Sequence, residues 1–162
     1  MTAPKFHLAQ ANVARVRASI DSPVMAEFVA LLDPINAIAD TSPGFVWRLQ
    51  SDDGDATSIS VFDDDELLVN MSVWLDVETL RAFVFRTQHL DVFQRRKEWF
   101  HRIAEAHLAL WWIPAGSIPT VEDAEVRITH LRVHGPTQYA FTLTDPFPVP
   151  EGLLEEKPGK TR

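Results

Sequence analysis

Hydrophobic and polar positions along the chain change period several times, and each change predicts an element. Phe6 to Val13 reads as a first strand. Ser22-Pro23 then pairs an N-cap residue with a proline suited to a first helical turn. Met25, Phe28, Val29 and Leu32 recur at helical spacing, and Ile35, Ile38 and Ala39 prolong the stripe past Pro34, where a kink or interruption is expected. Ser42-Pro43-Gly44 marks its end. Phe45 to Gln50 alternates as a strand does, with Phe45, Trp47 and Leu49 on one side. Leu67 to Leu75 predicts another strand, in which Asn70, Ser72 and Trp74 share a face. Asp76 caps a helix whose buried stripe is Leu80, Phe83 and Val84, and this helical region is expected to run through Arg102, with a break near Gln88. Leu108 to Ile113 is a short apolar run ended by Pro114-Ala115-Gly116, as in a strand covered on both faces. Thr120 and Asp123 resemble a capping box ahead of Val121, Ala124, Ile128 and Leu131, and His134-Gly135-Pro136 ends that helix. Tyr139 to Thr144 predicts one more strand.

The order strand, helix, strand, strand, helix, strand predicts an α+β domain, a ferredoxin-like split β-α-β with an antiparallel sheet, extended by a C-terminal helix and strand. One domain spans residues 1–147, and residues 148–162, rich in proline and mixed charge, read as a flexible tail. Such a fold carries helices on one side of its sheet. Adjacent Trp111 and Trp112 must nonetheless point to opposite faces, so apolar surface decorates both. A homodimer packed sheet to sheet would cover the second face; the alternative is that the added C-terminal helix covers it within one chain.

Composition narrows the chemistry. The 162 residues include no cysteine, which removes disulfides, thiolate metal sites and cysteine nucleophiles. Fifteen basic against 23 acidic residues give a formal charge of −8, which argues against nucleic acid and anionic membrane surfaces as partners. No run approaches the roughly 20 apolar residues of a membrane span. The opening Met1 to Lys5 lacks the pattern of a secretory signal, so a cytoplasmic location is expected. The acidic runs Ser51 to Asp55 and Asp63 to Glu66 lack the calcium-loop spacing and read as solvated turns.

Several segments carry a family resemblance: Gly44-Phe45-Val46-Trp47-Arg48-Leu49, Asn70-Met71-Ser72-Val73-Trp74, Arg86-Thr87-Gln88-His89, Arg95 to Phe100, Leu110 to Gly116, and Ala124-Glu125-Val126-Arg127. Together they resemble the uncharacterised bacterial family called domain of unknown function 3291, in the dimeric α/β-barrel superfamily, over about Phe6 to Phe147. That superfamily includes antibiotic-biosynthesis-type monooxygenases, which oxidise aromatic polyketides without a cofactor, and haem-binding enzymes. The resemblance implies a barrel-forming homodimer with a hydrophobic pocket in each subunit and leaves the reaction open.

If the second helical region is continuous, His89, Phe93, Arg96 and Phe100 share one face. There Arg96 would hold an anion or carbonyl and His89 would exchange a proton, which makes these two the candidate catalytic residues. The structural alternative has His89 capping a broken helix and Arg96 paired with Asp91 or Glu98. Arg95 reads as a solvated charge or dimer contact. Trp74, Trp99, Trp111 and Trp112 fit a pocket wall or plain core, and Asn70 and Ser72 could present hydrogen bonds to a ligand or to each other. His101, His107, His130 and His134 form no metal-binding pattern, and no serine sits in a nucleophile turn. No cofactor is expected; a haem on His89 or His107 rests on fold analogy alone. The functional expectation is an aromatic-lined pocket for a small hydrophobic molecule, in a monooxygenase-like enzyme or, as the alternative, in a non-catalytic small-molecule or haem-binding module. A third reading makes the aromatic cluster core and nothing else.

Overall fold

The computed structural model describes residues 4–52 and 54–150. The element order is β1 (Phe6–Val16), α1 (Ala26–Thr41), β2 (Phe45–Arg48), β3 (Leu67–Trp74), α2 (Val77–Arg86), α3 (His89–Gln94), β4 (Phe100–His101), β5 (Leu108–Pro114) and α4 (Val121–His134), with single 3-10 turns at Pro23–Met25 and Arg96–Glu98. β1 is the centre of an antiparallel sheet. One edge pairs with β3, which pairs with β2; the other carries β5 beside Phe6 to Asn12 and β4 beside Arg15 and Val16. This is the ferredoxin-like strand order expected of an α+β split β-α-β chain. Among the described residues no helix is long and apolar enough to cross a membrane. Of the expected tail, residues 151–162 lie outside the described residues, and 148–150 have no regular structure.

Register sorts the side chains. Leu8 lies opposite Trp74 and Trp112, Gln10 opposite Ser72 and Leu110, and Asn12 opposite Asn70 and Leu108, so these nine share one face. On it Leu8, Trp74 and Leu110 pack with Ala39 of α1, Leu80 and Phe83 of α2, and Phe141. The other face gathers Ala9, Ala11, Val13, Val69, Met71, Val73, Ala109, Trp111 and Ile113. It is covered by Ala124, Ile128 and Leu131 of α4, at a helical spacing of four and three, with Val61 and Ala140. The apolar second face therefore does not wait for a second subunit: the C-terminal helix of the same chain fills it.

Four local expectations are corrected. A bulge between Phe45 and Trp47 shifts the parity of β2, so Phe45 packs with Trp74 on the α1–α2 side while Trp47 and Leu49 join the α4 side. The second helical region breaks beside Gln88, as expected, and again after Gln94. α2 stops at Arg86 because Thr87 turns extended and its hydroxyl donates to the Phe83 carbonyl at 2.5 Å; after α3 the chain enters β4, so His89, Phe93, Arg96 and Phe100 do not share a helix face. Pro34 does not interrupt α1: it sits on the exposed side, where water can take the carbonyl it leaves unpaired. The strand expected over Tyr139 to Thr144 shrinks to one bridge between Leu110 and Phe141, since Arg81 takes the Leu143 carbonyl and the Trp112 indole takes that of Phe147. The capping box of Thr120 and Asp123 forms as expected.

Gly44 joins α1 to β2 at φ +82°, with its carbonyl accepting from Leu75 N at 2.8 Å. Thr79, in the first turn of α2, packs directly against the glycine Cα. The sheet and the helix that ends near His89 are thus fastened together at a position without a side chain.

Candidate functional site

Among the described residues only Gln10 and Ser72 are polar and buried, and they meet. The Gln10 carboxamide donates to Asn70 Oδ1 at 2.7 Å and to Ser72 Oγ at 2.8 Å, and the Trp74 indole donates to the same Ser72 Oγ at 2.8 Å. β1 and β3 create this arrangement by placing the period-two positions 70, 72 and 74 against 8, 10 and 12. Burying such groups unbonded would cost roughly 2–7 kcal/mol each, so the network is what permits them in an apolar face. Ser72 accepts twice, which leaves its own proton for a third partner. Asn70 is exposed, so the network runs from core to solvent.

His89 closes the same region from the helices. Its ring lies 4.9 Å from Phe83, which stacks on Trp74 at 5.1 Å. Burial pushes the imidazole pKa below its ordinary value, with a smaller opposing pull from the Val84 backbone carbonyl. Nδ1 is buried without a partner. The ring is therefore neutral near pH 7.

The remaining expected residues divide among separate places. Arg96 is exposed, with its guanidinium 4.3 Å from the Phe93 ring and one N–H donated to the Phe93 carbonyl at 2.8 Å. Neither Asp91 nor Glu98 pairs with it; Glu98 and Glu27 are bound instead by Arg95, which also lies over Trp99. Trp99 and Phe100 surround Phe28 of α1, at 5.6 Å and 5.0 Å. Trp111 is buried on the α4 side, and Trp112 on the other face donates to the Phe147 carbonyl at 2.9 Å. Of the residues singled out from sequence, the structure thus joins Asn70, Ser72, Trp74 and His89 in one chain of contacts, with Trp112 packed on the same face, while Phe93, Arg96, Trp99, Phe100 and Trp111 lie apart. Gln10 escapes a reading of the sequence: its place in a strand is legible, but its partners depend on pairing across 60 residues.

A cleft of about 480 Å³ opens at the far end of β1, lined by Val16, Arg17, Thr57, Glu66, Leu68 and His101 among others. None of the residues expected from sequence lines it, although Leu68, two positions before Asn70, is on the same face of β3. Among the described residues no group of three or more His, Asp or Glu could hold a metal ion. Of the two histidines considered for haem, His89 has Phe83 packed on its ring, and His107 is exposed with Nδ1 at the Glu105 carbonyl, 3.1 Å away.

Comparison with curated proteins finds no match. Among solved structures the chain is similar to SnoaB, a cofactor-independent oxygenase from Streptomyces nogalater, at 18% identity and a TM-score of 0.43, covering 69% of this chain and 95% of that one. It is similar to Rv0793 from Mycobacterium tuberculosis at 15% identity and 0.45, covering 70% and 99%. It is also similar to PA3566 from Pseudomonas aeruginosa at 14% identity and 0.44, covering 72% and 100%. The family match is far more extensive, running over residues 7–157, and by it the chain belongs to DUF3291, a family defined as a domain of unknown function.

Proposed function

We propose that the protein is a monooxygenase-like enzyme acting on a flat, hydroxylated aromatic molecule, with its reaction centre between α2, α3 and the face of the sheet carrying Gln10, Asn70, Ser72 and Trp74. The observation that carries this reading is the unpartnered Nδ1 of a neutral His89, one aromatic ring away from Trp74 and from a buried set of hydrogen-bond donors. A fixed neutral imidazole is the right base for a phenol or enol, and Asn70 and Ser72 have protons left to steady the resulting oxyanion. The electron-rich carbanion would pass an electron to dioxygen, recombine to a peroxide at carbon, and lose water. Overall a ring CH2 and O2 give C=O and H2O, so no further reductant is needed. Beyond His89 at its start, α3 has no buried side chain, which suits its later residues to move aside as substrate enters. Arg96 lies outside this proton path.

The test is oxygen uptake with anthrone, whose oxidation to anthraquinone consumes one O2 and releases one water. Turnover should fall by roughly 100-fold or more in His89→Ala while circular dichroism is unchanged, the usual weight of a general base. Undiminished turnover in His89→Ala would overturn the assignment of the base. Stabilisation by flat phenols without any oxygen uptake would instead favour the non-catalytic binding module, and neither response would favour plain core.

A further inference from the structure

Among the described residues six arginines are half-buried: Arg15, Arg48, Arg81, Arg95, Arg127 and Arg132. Four of them bind a carboxylate, and Arg127 lies over the Tyr139 ring at 3.7 Å. Arg81, on α2, has neither. Its Nε is buried without a hydrogen-bond partner, and the adjacent Nη2 donates to the backbone carbonyl of Leu143. Nε–H and the neighbouring Nη2–H run parallel, as the two prongs that take the two oxygens of a carboxylate. Here one prong holds a single neutral oxygen and the other has no acceptor. A cation withdrawn from water with so little in exchange is costly, and the remaining half-buried arginines are all better provided for.

The segment that supplies this oxygen is built as a strap. After Phe141 it has no regular structure, and Thr144, Asp145 and Pro146 are exposed. It is fastened by Arg81 at the Leu143 carbonyl and by the Trp112 indole at the Phe147 carbonyl, 2.9 Å away. Leu143 and Phe147 pack against the cluster of Leu8, Trp74, Leu110 and Phe141, so apolar surface adjoins the guanidinium. We infer that Arg81 is the anchor for a carboxylate and that the protein takes an aromatic acid. The ligand's carboxylate displaces the Leu143 carbonyl and accepts from both Nε and Nη2, while residues 142–147 lift and its ring covers the apolar surface that Leu143 and Phe147 leave. This names the ligand class of the sheet face carrying Leu8, Trp74 and Leu110. It rests on reading that face as a small-molecule site, and not on the oxidation proposed there.

Titration calorimetry of the full chain with 2-naphthoate and with its neutral isostere naphthalene-2-carboxamide tests this without any substitution. The acid should bind at least about tenfold tighter than the amide. Arg81→Gln should abolish that difference and leave the affinity for the amide as it was. Arg81→Lys, which keeps the charge but not the fork, should restore only part of it. Replacing Glu151, Glu155 and Glu156 together by glutamine should not change the affinity for the acid. No binding of the acid up to about 1 mM, equal binding of acid and amide, or a preference that survives Arg81→Gln would each overturn the inference. So would tighter binding of the acid to the triple glutamine variant, which would assign the fork to the chain's own carboxylates. Circular dichroism of each variant separates loss of binding from loss of fold. An acid preference without oxygen uptake from anthrone would sink the reaction alone, and uptake without an acid preference would sink the anchor alone.

Discussion

Replacing Gly44 by alanine perturbs two things at once, and their sizes can be separated. At φ +82° a Cβ meets its own backbone, a strain of about 1–2 kcal/mol for a residue other than glycine. The same Cβ would fall onto the Cβ, Cγ2 and Oγ1 of Thr79 with no room between them. Thr79 is half of a reciprocal cap: its N–H donates to Asp76 Oδ1 at 2.8 Å, and its Oγ1 accepts from Asp76 N at 3.3 Å. Displacing it sacrifices about 1 kcal/mol of helix capping. Gly44→Ala should therefore cost about 2–3 kcal/mol and lower Tm by about 4–12 °C for a domain of this size. Gly116 supplies the control: its φ is +91°, and a methyl group there would meet no atom within 4 Å, so Gly116→Ala should show the backbone cost alone. Urea titrations followed by tryptophan fluorescence would give both values. If Gly44→Ala proves no more damaging than Gly116→Ala, the close packing of Thr79 on the turn is wrong.

Other outcomes follow from the buried polar groups. His89 has a folded-state pKa below the ordinary 6.5, so the unfolded chain takes up its proton first as pH falls. Its contribution to stability is complete above about pH 6.5 and is lost as pH drops towards the folded value; His89→Gln should flatten that part of the pH–stability curve, and parallel curves would contradict the burial. Within the sheet, Ser72 Oγ is the acceptor for two donors, so Ser72→Ala should cost about 2–3 kcal/mol by leaving the Trp74 indole and one of the two Gln10 N–H groups without an acceptor. Gln10→Leu, although it deletes a larger polar group, should cost less, about 1–2 kcal/mol, because Ser72 keeps its bond to Trp74. The reverse order in chemical denaturation would remove Ser72 from the centre of the network.

Local periodicity makes much of this architecture legible, and long-range pairing supplies what it cannot. The shared face of Asn70, Ser72 and Trp74 follows from a period of two and stands in the sheet. So do the opposed directions of Trp111 and Trp112, and the cap of α4. Alternation sets Phe45 and Trp47 side by side because it cannot reveal a bulge, which is decided by how β2 meets β3. The grouping of His89 with Arg96 fails because α3 ends at Gln94 and Arg96 opens a separate 3-10 turn, a break that apolar spacing does not register. Gln10 has no local signal at all: it is one polar residue in a strand until register brings Ser72 and Asn70 beside it. Apolar surface on both sides of the sheet suggests a partner subunit only as long as the resting place of α4 is unknown.

The central position of β1 has a consequence for biosynthesis. Leu8 is bonded into the sheet between Trp74 and Trp112, and the second of these lies 104 residues after it. A chain emerging from the ribosome can zip β1 to β3 early, yet the opposite edge of β1 stays bare until β5 has been made. At roughly 5–20 residues per second that delay is on the order of seconds, with an apolar strand edge open to any passing chain. Newborn molecules of this protein should accordingly be most prone to aggregate in that interval, and transplanting β1 to follow α4 would abolish it.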